Sequence, residues 1–299
     1  MWEDNLFRFT MLTDINQLFE IKPYSLKKPE KTEFFNNYLF NITKYHYDNC
    51  NNYRKMIDSL NFDLLKTVPY NQIPFLPVRL FKMYDLYSIR KEDIIKTMTS
   101  SGTSGQQVSK IFLDKETSIN QSKVLTKIVS DFIGLKRTPM IIIDSPSILK
   151  NRNLFSARGA GILGFSMFGT KRIYALNEDM ELDIDKILSF IDEYKQSKIF
   201  LFGFTFIVFQ HFINELKNNK INIDLSNAVL IHGGGWKKLQ EESISSKKFR
   251  FVLNQLCGIE QVYDYYGMVE QTGSIYMECE QRNLHASVFS DIIIRRTYD

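Results

Sequence analysis

An α/β fold is what this sequence predicts, and three observations carry the prediction. From about residue 140 onward, short β-rich runs alternate with stretches of helical apolar spacing. The first hundred residues carry helical spacing instead. Three glycine-containing clusters, in order along the chain, each lie at the exit of a strand-like run.

In the N-terminal region, Phe34, Phe35, Tyr38, Leu39 and Ile42 recur at intervals that place them on one face of a helix, and Pro69, Pro74 and Pro77 close the region. Strands are then predicted at 140–143, 172–176, 199–202, 228–231 and 261–265. Between them, Ile184, Ile187, Leu188 and Ile191 form one helical stripe and Phe209, Phe212, Ile213 and Leu216 another. The run 288–296 reads as a last strand, after which the chain stops at Asp299. No repeat, low-complexity tract or long linker interrupts the pattern. The expectation is a single domain over 1–299, with a helical part to about 95 and an α/β core from about 96.

Composition narrows the function classes. At 299 residues and 44% hydrophobic content, the chain can bury a large core. A net charge of +4 is spread along the whole length without a basic stripe, so nucleic acid is not an expected partner. Three cysteines, Cys50, Cys257 and Cys279, without C-x-x-C spacing speak against a disulfide framework or structural zinc and for a reducing, cytoplasmic setting. The start Met1-Trp2-Glu3-Asp4 lacks the basic-then-apolar pattern of a secretory signal. The most apolar segment, 199–209, is well short of the ~20 residues that span a bilayer.

The first cluster is Thr99-Ser100-Ser101-Gly102-Thr103-Ser104-Gly105, with Lys110 beyond. Glycines let the backbone approach an anion, and successive N–H groups and hydroxyls supply donors without bulk, which suits phosphate. Such clusters are also ordinary surface turns. Gln106 and Gln107 follow Gly105, so the Gly-Lys-Ser/Thr ending of a P-loop NTPase is missing. The second cluster, His232-Gly233-Gly234-Gly235-Trp236-Lys237, follows an apolar run at a position where α/β sheets admit a flat ring or an acyl chain. The third, Asp264-Tyr265-Tyr266-Gly267-Met268-Val269-Glu270-Gln271-Thr272-Gly273, joins aromatic faces to a carboxylate. A tyrosine can stack on a purine, and a carboxylate can hold Mg²⁺ against phosphate oxygens.

Taken together, these segments resemble the adenylate-forming superfamily of acyl ligases. Thr99-Ser100-Ser101-Gly102-Thr103-Ser104-Gly105 is similar to its phosphate loop. Tyr266-Gly267-Met268-Val269-Glu270 is similar to its Tyr-Gly-x-Thr-Glu motif, with Val269 in place of threonine. Within the superfamily, these stretches and His232-Gly233-Gly234-Gly235-Trp236-Lys237-Lys238 resemble the LuxE-type acyl-protein synthetases.

The resemblance implies the large N-terminal domain of the adenylate-forming enzymes, with mixed sheets covered by helices. It also implies activation of a fatty or other carboxylic acid by ATP and Mg²⁺ to an acyl-adenylate, then transfer to a protein thiol and an acyl reductase partner. Ser100, Ser101, Gly102, Thr103, Ser104 and Gly105 would hold phosphates. Gly233, Gly234, Gly235, Tyr265, Tyr266 and Gly267 would frame adenine and the acyl-phosphate junction, and Glu270, with Thr103, would ligate Mg²⁺ and carry the chemistry. The Pro-Lys pair that follows the loop in many members is absent before Lys110. The family's downstream ribose-binding aspartate, small C-terminal domain with its lysine, and acyl-accepting cysteine are expected beyond Asp299, and the chain is read as lacking them.

Cys257 and Cys279 read as structural, and His232, His46, His211 and His285 as packing or hydrogen-bonding residues. Two rival functions follow from other features. In Gly164-Phe165-Ser166-Met167-Phe168-Gly169 the last glycine is one position late for a hydrolase elbow around Ser166. The early stop suggests a truncated, non-catalytic module that binds nucleotide or acyl-adenylate.

Overall fold

A computed structural model describes residues 14–100, 107–149, 157–236 and 243–296. After a one-turn helix at Ile15–Leu18, helices α1 (Lys28–Asn49) and α2 (Asn51–Ser59) form most of the regular structure before residue 95. Strands β1 (Lys96–Thr99) and β2 (Lys110–Leu113) pair antiparallel as a hairpin. The core then runs α3 (Lys115–Ile133), β3 (Thr138–Ile143), α4 (Ala157–Ser166), β4 (Gly169–Tyr174), α5 (Ile184–Glu193) and β5 (Ile199–Phe204). Helix α6 follows, α-helical at Thr205–Ile207 and Asn214–Asn218 with a π segment at Val208–Ile213 between. Strand β6 (Ala228–Gly233), helix α7 (Ser246–Cys257) and strands β7 (Gln261–Tyr266), β8 (Tyr276–Glu278) and β9 (Leu284–His285) complete the order.

The seven-stranded sheet has the order β4-β3-β5-β6-β7-β8-β9. Its first five strands are parallel, and β8 and β9 add antiparallel to the far edge. Central strands sit between helical layers, so both faces must be apolar. Ile-Phe-Leu-Phe-Gly-Phe in β5 and Ala-Val-Leu-Ile-His-Gly in β6 are accordingly buried at every position. Edge strand β4 instead exposes Thr170, Lys171 and Arg172, and the two charges discourage further strand addition. Asp114 caps α3 by accepting from the Thr117 N–H at 2.7 Å, and Ser245 caps α7 by accepting from Lys248 at 3.3 Å.

All five predicted strands of the parallel core are present. Chain order reverses between β3 and β5, since β3 leads outward to β4 and β5 leads to β6 on the other side. Such a switch point opens a crevice at the carboxyl ends of the strands.

Two predictions fail. The run 288–296 is not a strand. The Val288 N–H donates to the Pro23 carbonyl at 2.7 Å, Ser290 turns back to Ser287, and Asp291 meets Lys28 Nζ of α1 at 2.7 Å and the hydroxyl of Tyr70 in the short 3-10 turn Tyr70–Gln72. Its polar groups tie the segment to the N-terminal helices instead of a ladder. Phe289 accordingly packs against both the main core and a smaller cluster of Leu18, Phe34, Phe35, Tyr70 and Val288. Second, Leu188 is outside the buried stripe of α5, being 44% exposed beside a fully buried Ile187.

Candidate active site

The first glycine cluster starts at Thr99, the last residue of β1, which pairs with Lys110 of β2. Ser101, Gly102, Thr103, Ser104 and Gly105 fall outside the described residues. Ser100 closes the base of the turn: its N–H donates to the Ser109 carbonyl at 3.2 Å, and its Oγ accepts from the Ser109 N–H at 2.9 Å. This hydroxyl is therefore engaged in holding the loop. Lys110 points to Asp85, with Nζ 3.2 Å from Oδ1.

The second and third clusters leave adjacent parallel strands at their carboxyl ends, where Gly233 on β6 aligns with Tyr265 on β7. A Cβ on Gly233 would fall 2.3 Å from Tyr265 Cε1 and 2.7 Å from the Tyr265 carbonyl oxygen. Gly233 is thus needed for the ring to lie across the strand. Gly234 takes φ +77°, and a side chain at Gly235 would meet no described atom within 4 Å.

The two tyrosines part company here. Tyr265 is packed against Phe165 at 5.1 Å, and burial pushes its hydroxyl well above the usual tyrosine range. Tyr266 faces outward, 49% exposed, stacked with Tyr276 at 6.2 Å and 28°. Gly267 is held against Ile275, and Glu270 follows in a turn, half-buried, with no hydrogen bond or ion pair among the described residues.

Helix α3 connects the hairpin to this turn. Gln121 Nε2 donates to Met98 Sδ on β1 at 3.1 Å. Gly273, at φ +83°, brings the third cluster so close that a Cβ there would lie 2.8 Å from Gln121 Cα. One residue of α3 therefore contacts both segments, and no motif in the sequence marked it.

Beneath the glycine exit, His232 is fully buried. Its Nδ1 lies 2.9 Å from Thr205 Oγ1, which also donates to the Gly233 carbonyl at 3.2 Å, and its ring packs on Phe249 at 4.7 Å. Burial, with Arg250 nearby, pushes the imidazole down to about 3 and keeps it neutral. It packs and hydrogen-bonds, as the sequence predicted. Next to it, burial and the Glu278 charge push the Asp264 carboxyl up to about 6. Glu278 pairs with Arg250 and accepts from the Asp264 N–H at 3.2 Å, tying β8 and α7 to β7.

Other singled-out residues fall into structural roles. The Ser166 hydroxyl is buried and donates to the Ile162 carbonyl at 2.6 Å inside α4, which is no hydrolase elbow. Cys257 is buried, and its thiol is pushed up to about 12. His46 Nδ1 lies 2.7 Å from Ser88 Oγ. Among the described residues there is no cluster of three or more potential metal ligands.

A sequence model of the acyl-protein synthetase family LuxE matches residues 4–299. The chain belongs to the LuxE acyl-protein synthetase family. Two LuxE relatives are named long-chain-fatty-acid--luciferin-component ligase. The Aliivibrio fischeri protein is 26% identical over 274 residues, covering 89% of this chain and 70% of the relative. The Vibrio harveyi protein is 22% identical over 288 residues, covering 94% and 74%.

Among solved structures, 2-hydroxyisobutyryl-CoA ligase in an open conformation with 2-HIB-AMP and CoA superposes with a TM-score of 0.62 at 13% identity, over 87% of this chain and 55% of that one. Its postadenylation state with 2-HIB-AMP gives 0.61 at 12% identity, over 87% and 54%. The chain spans about half the length of those structures, and its fold is that of the adenylate-forming ligases. No helix among the described residues is long and apolar enough to cross a membrane.

Proposed function

We propose that this LuxE-family chain activates a fatty or related carboxylic acid with ATP. The substrate carboxylate attacks the α-phosphorus, pyrophosphate leaves, and the acyl-adenylate formed then passes its acyl group to a protein thiol, with an acyl reductase as the downstream partner. One observation supports this reading above the others. The second and third glycine clusters leave neighbouring strands at their carboxyl ends, and Gln121 joins the third to the hairpin that carries the first.

A carboxylate is already ionised near neutral pH, so the protein need supply no base, in keeping with the neutral, buried His232. Rate then comes from alignment and from fixed donors. In this reading Ser101, Gly102, Thr103, Ser104 and Gly105 offer hydroxyls and N–H groups to the phosphates. The outward ring of Tyr266 stacks on adenine, and Gly235 leaves the approach open. Tyr265 serves instead as the packed floor under Gly233. Glu270 and Thr103 would hold Mg²⁺, which supplies charge neutralisation at the pyrophosphate. The reading also places the protein in the cytoplasm.

Incubation with ATP, Mg²⁺, decanoate and hydroxylamine should yield AMP and the acyl hydroxamate, and Glu270→Ala should abolish both. Hydroxamate formed equally well by Glu270→Ala would remove Glu270 from the reaction.

A further inference from the structure

One side chain stands at the carboxyl ends of the strands beside the switch point. Phe204 ends β5, in register with Gly233 on β6, and is 9% exposed. Its ring is flanked by glycine on both sides. A Cβ on Gly161 of α4 would lie 2.9 Å from Phe204 Cζ, and one on Gly234 would lie 3.1 Å from Phe204 Cδ1. Gly161 also faces the Tyr265 hydroxyl, 3.8 Å from the same Cβ position. The absence of side chains at Gly161 and Gly234 is what lets an aromatic ring sit between helix and glycine exit.

Behind Phe204 lie further aromatic rings. Phe202 packs edge-on at 5.8 Å, and Phe165 of α4 stacks on Phe202 at 4.1 Å and 15°. These rings give an apolar lining between α4 and the end of β5, beside the Gly233–Gly235 exit, and Phe204 is the ring nearest that exit. Two open surface grooves among the described residues lie elsewhere, one along α7 between Ser246 and Arg282 and one between Tyr24, Phe132 and Tyr263.

We infer that Phe204 is the specificity-determining residue that sets how long an acyl chain this site accepts, its ring forming the stop of the acyl pocket between α4 and the glycine exit of β6. The inference rests on the adenylation reading above. Shortening the side chain opens space flanked by two glycines and continuous with the aromatic seam, so longer acids gain buried methylenes. A hydrophobic pocket distinguishes a single methylene by roughly 10-fold or more in kcat/KM.

The test uses Phe204→Ala and the more conservative Phe204→Leu, each confirmed folded by circular dichroism. Acid-dependent pyrophosphate exchange and calorimetric binding are measured with hexanoate, decanoate and tetradecanoate, each below its micellar concentration. The expected result is that the ratio of longer-acid to shorter-acid efficiency rises by roughly 10-fold or more in Phe204→Ala and by less in Phe204→Leu, with binding following the same order. Chain-length profiles of folded variants that superimpose on wild type, in exchange or in binding, overturn the assignment. If no acid supports exchange in wild type yet binding shifts with Phe204 as stated, adenylation fails and the pocket assignment stands. If wild type binds none of the acids, the assignment fails.

Discussion

Removing the Arg158 guanidinium should destabilise the protein more than most surface-facing changes, because it strands a carboxylate inside the fold. Asp144, at the carboxyl end of β3, has a side chain 1% exposed, whereas that of Arg158 on α4 is 21% exposed. The pair is bidentate: Nε donates to Oδ2 at 2.6 Å and Nη2 to Oδ1. Asp144 also receives the Ser145 N–H at 2.6 Å, but its Oδ2 has only Arg158 as a hydrogen-bond partner among the described residues.

Breaking a buried pair by deleting one partner costs about 3–5 kcal/mol, whereas replacing both with apolar groups is often neutral or stabilising. Arg158→Met is therefore expected to lower stability by about 3–5 kcal/mol, a fall in melting temperature of roughly 10 °C for a chain of this size. The double variant Asp144→Leu/Arg158→Met should recover most of that loss. Thermal and urea unfolding followed by circular dichroism read both. A single variant that melts with wild type, or a double variant as unstable as the single, would refute the view that this buried ion pair holds α4 to β3.

Gly233→Ala should cost about 1–3 kcal/mol and disturb the near-ultraviolet signal of Tyr265, whose ring and carbonyl occupy the added methyl's space. Gly235→Ala, with open space around it, should unfold within ~0.5 kcal/mol of wild type in the same denaturation assay. His232 is held neutral down to about pH 3 but titrates near 6.5 when unfolded. Its contribution is thus complete above pH 6.5 and lost as pH falls toward 3, so urea melts of His232→Gln should show a shallower acid decline than wild type, by up to ~1.4 kcal/mol per pH unit. Asp264 has the opposite sign: its carboxyl, raised to about 6, favours folding at pH below ~3.8 and loses that contribution as pH climbs through 6. With 44% of the side chain in water, Asp264→Asn should gain only ~1 kcal/mol at pH 8 and nothing at pH 3.5, measured by the same melts. Iodoacetamide should label half-exposed Cys279 in the native protein and leave buried Cys257 untouched, as read by peptide mass spectrometry.

The central parallel strands β3, β5 and β6 were legible because they are continuous apolar runs buried on both faces. Strands β8 and β9 were not, since three and two residues are too short to show a period. The run 288–296 carries strand-forming residues, yet its fate is decided by Asp291 meeting Lys28 and Tyr70 from more than two hundred residues away. Local pattern holds no record of such a contact. The glycine exit was visible as a cluster, but the division of labour between Tyr265 and Tyr266 needed the strand's facing. Gln121 and Phe204 carried no motif at all; one is a helix-surface amide and the other reads as the next apolar residue of a buried strand.

Acid-dependent exchange of labelled pyrophosphate into ATP tests the central claim most directly, with the 299-residue protein, Mg²⁺ and Glu270→Ala beside it. The account predicts exchange that requires a fatty acid and disappears in Glu270→Ala. Exchange absent with every acid, or undiminished in that variant, would contradict it.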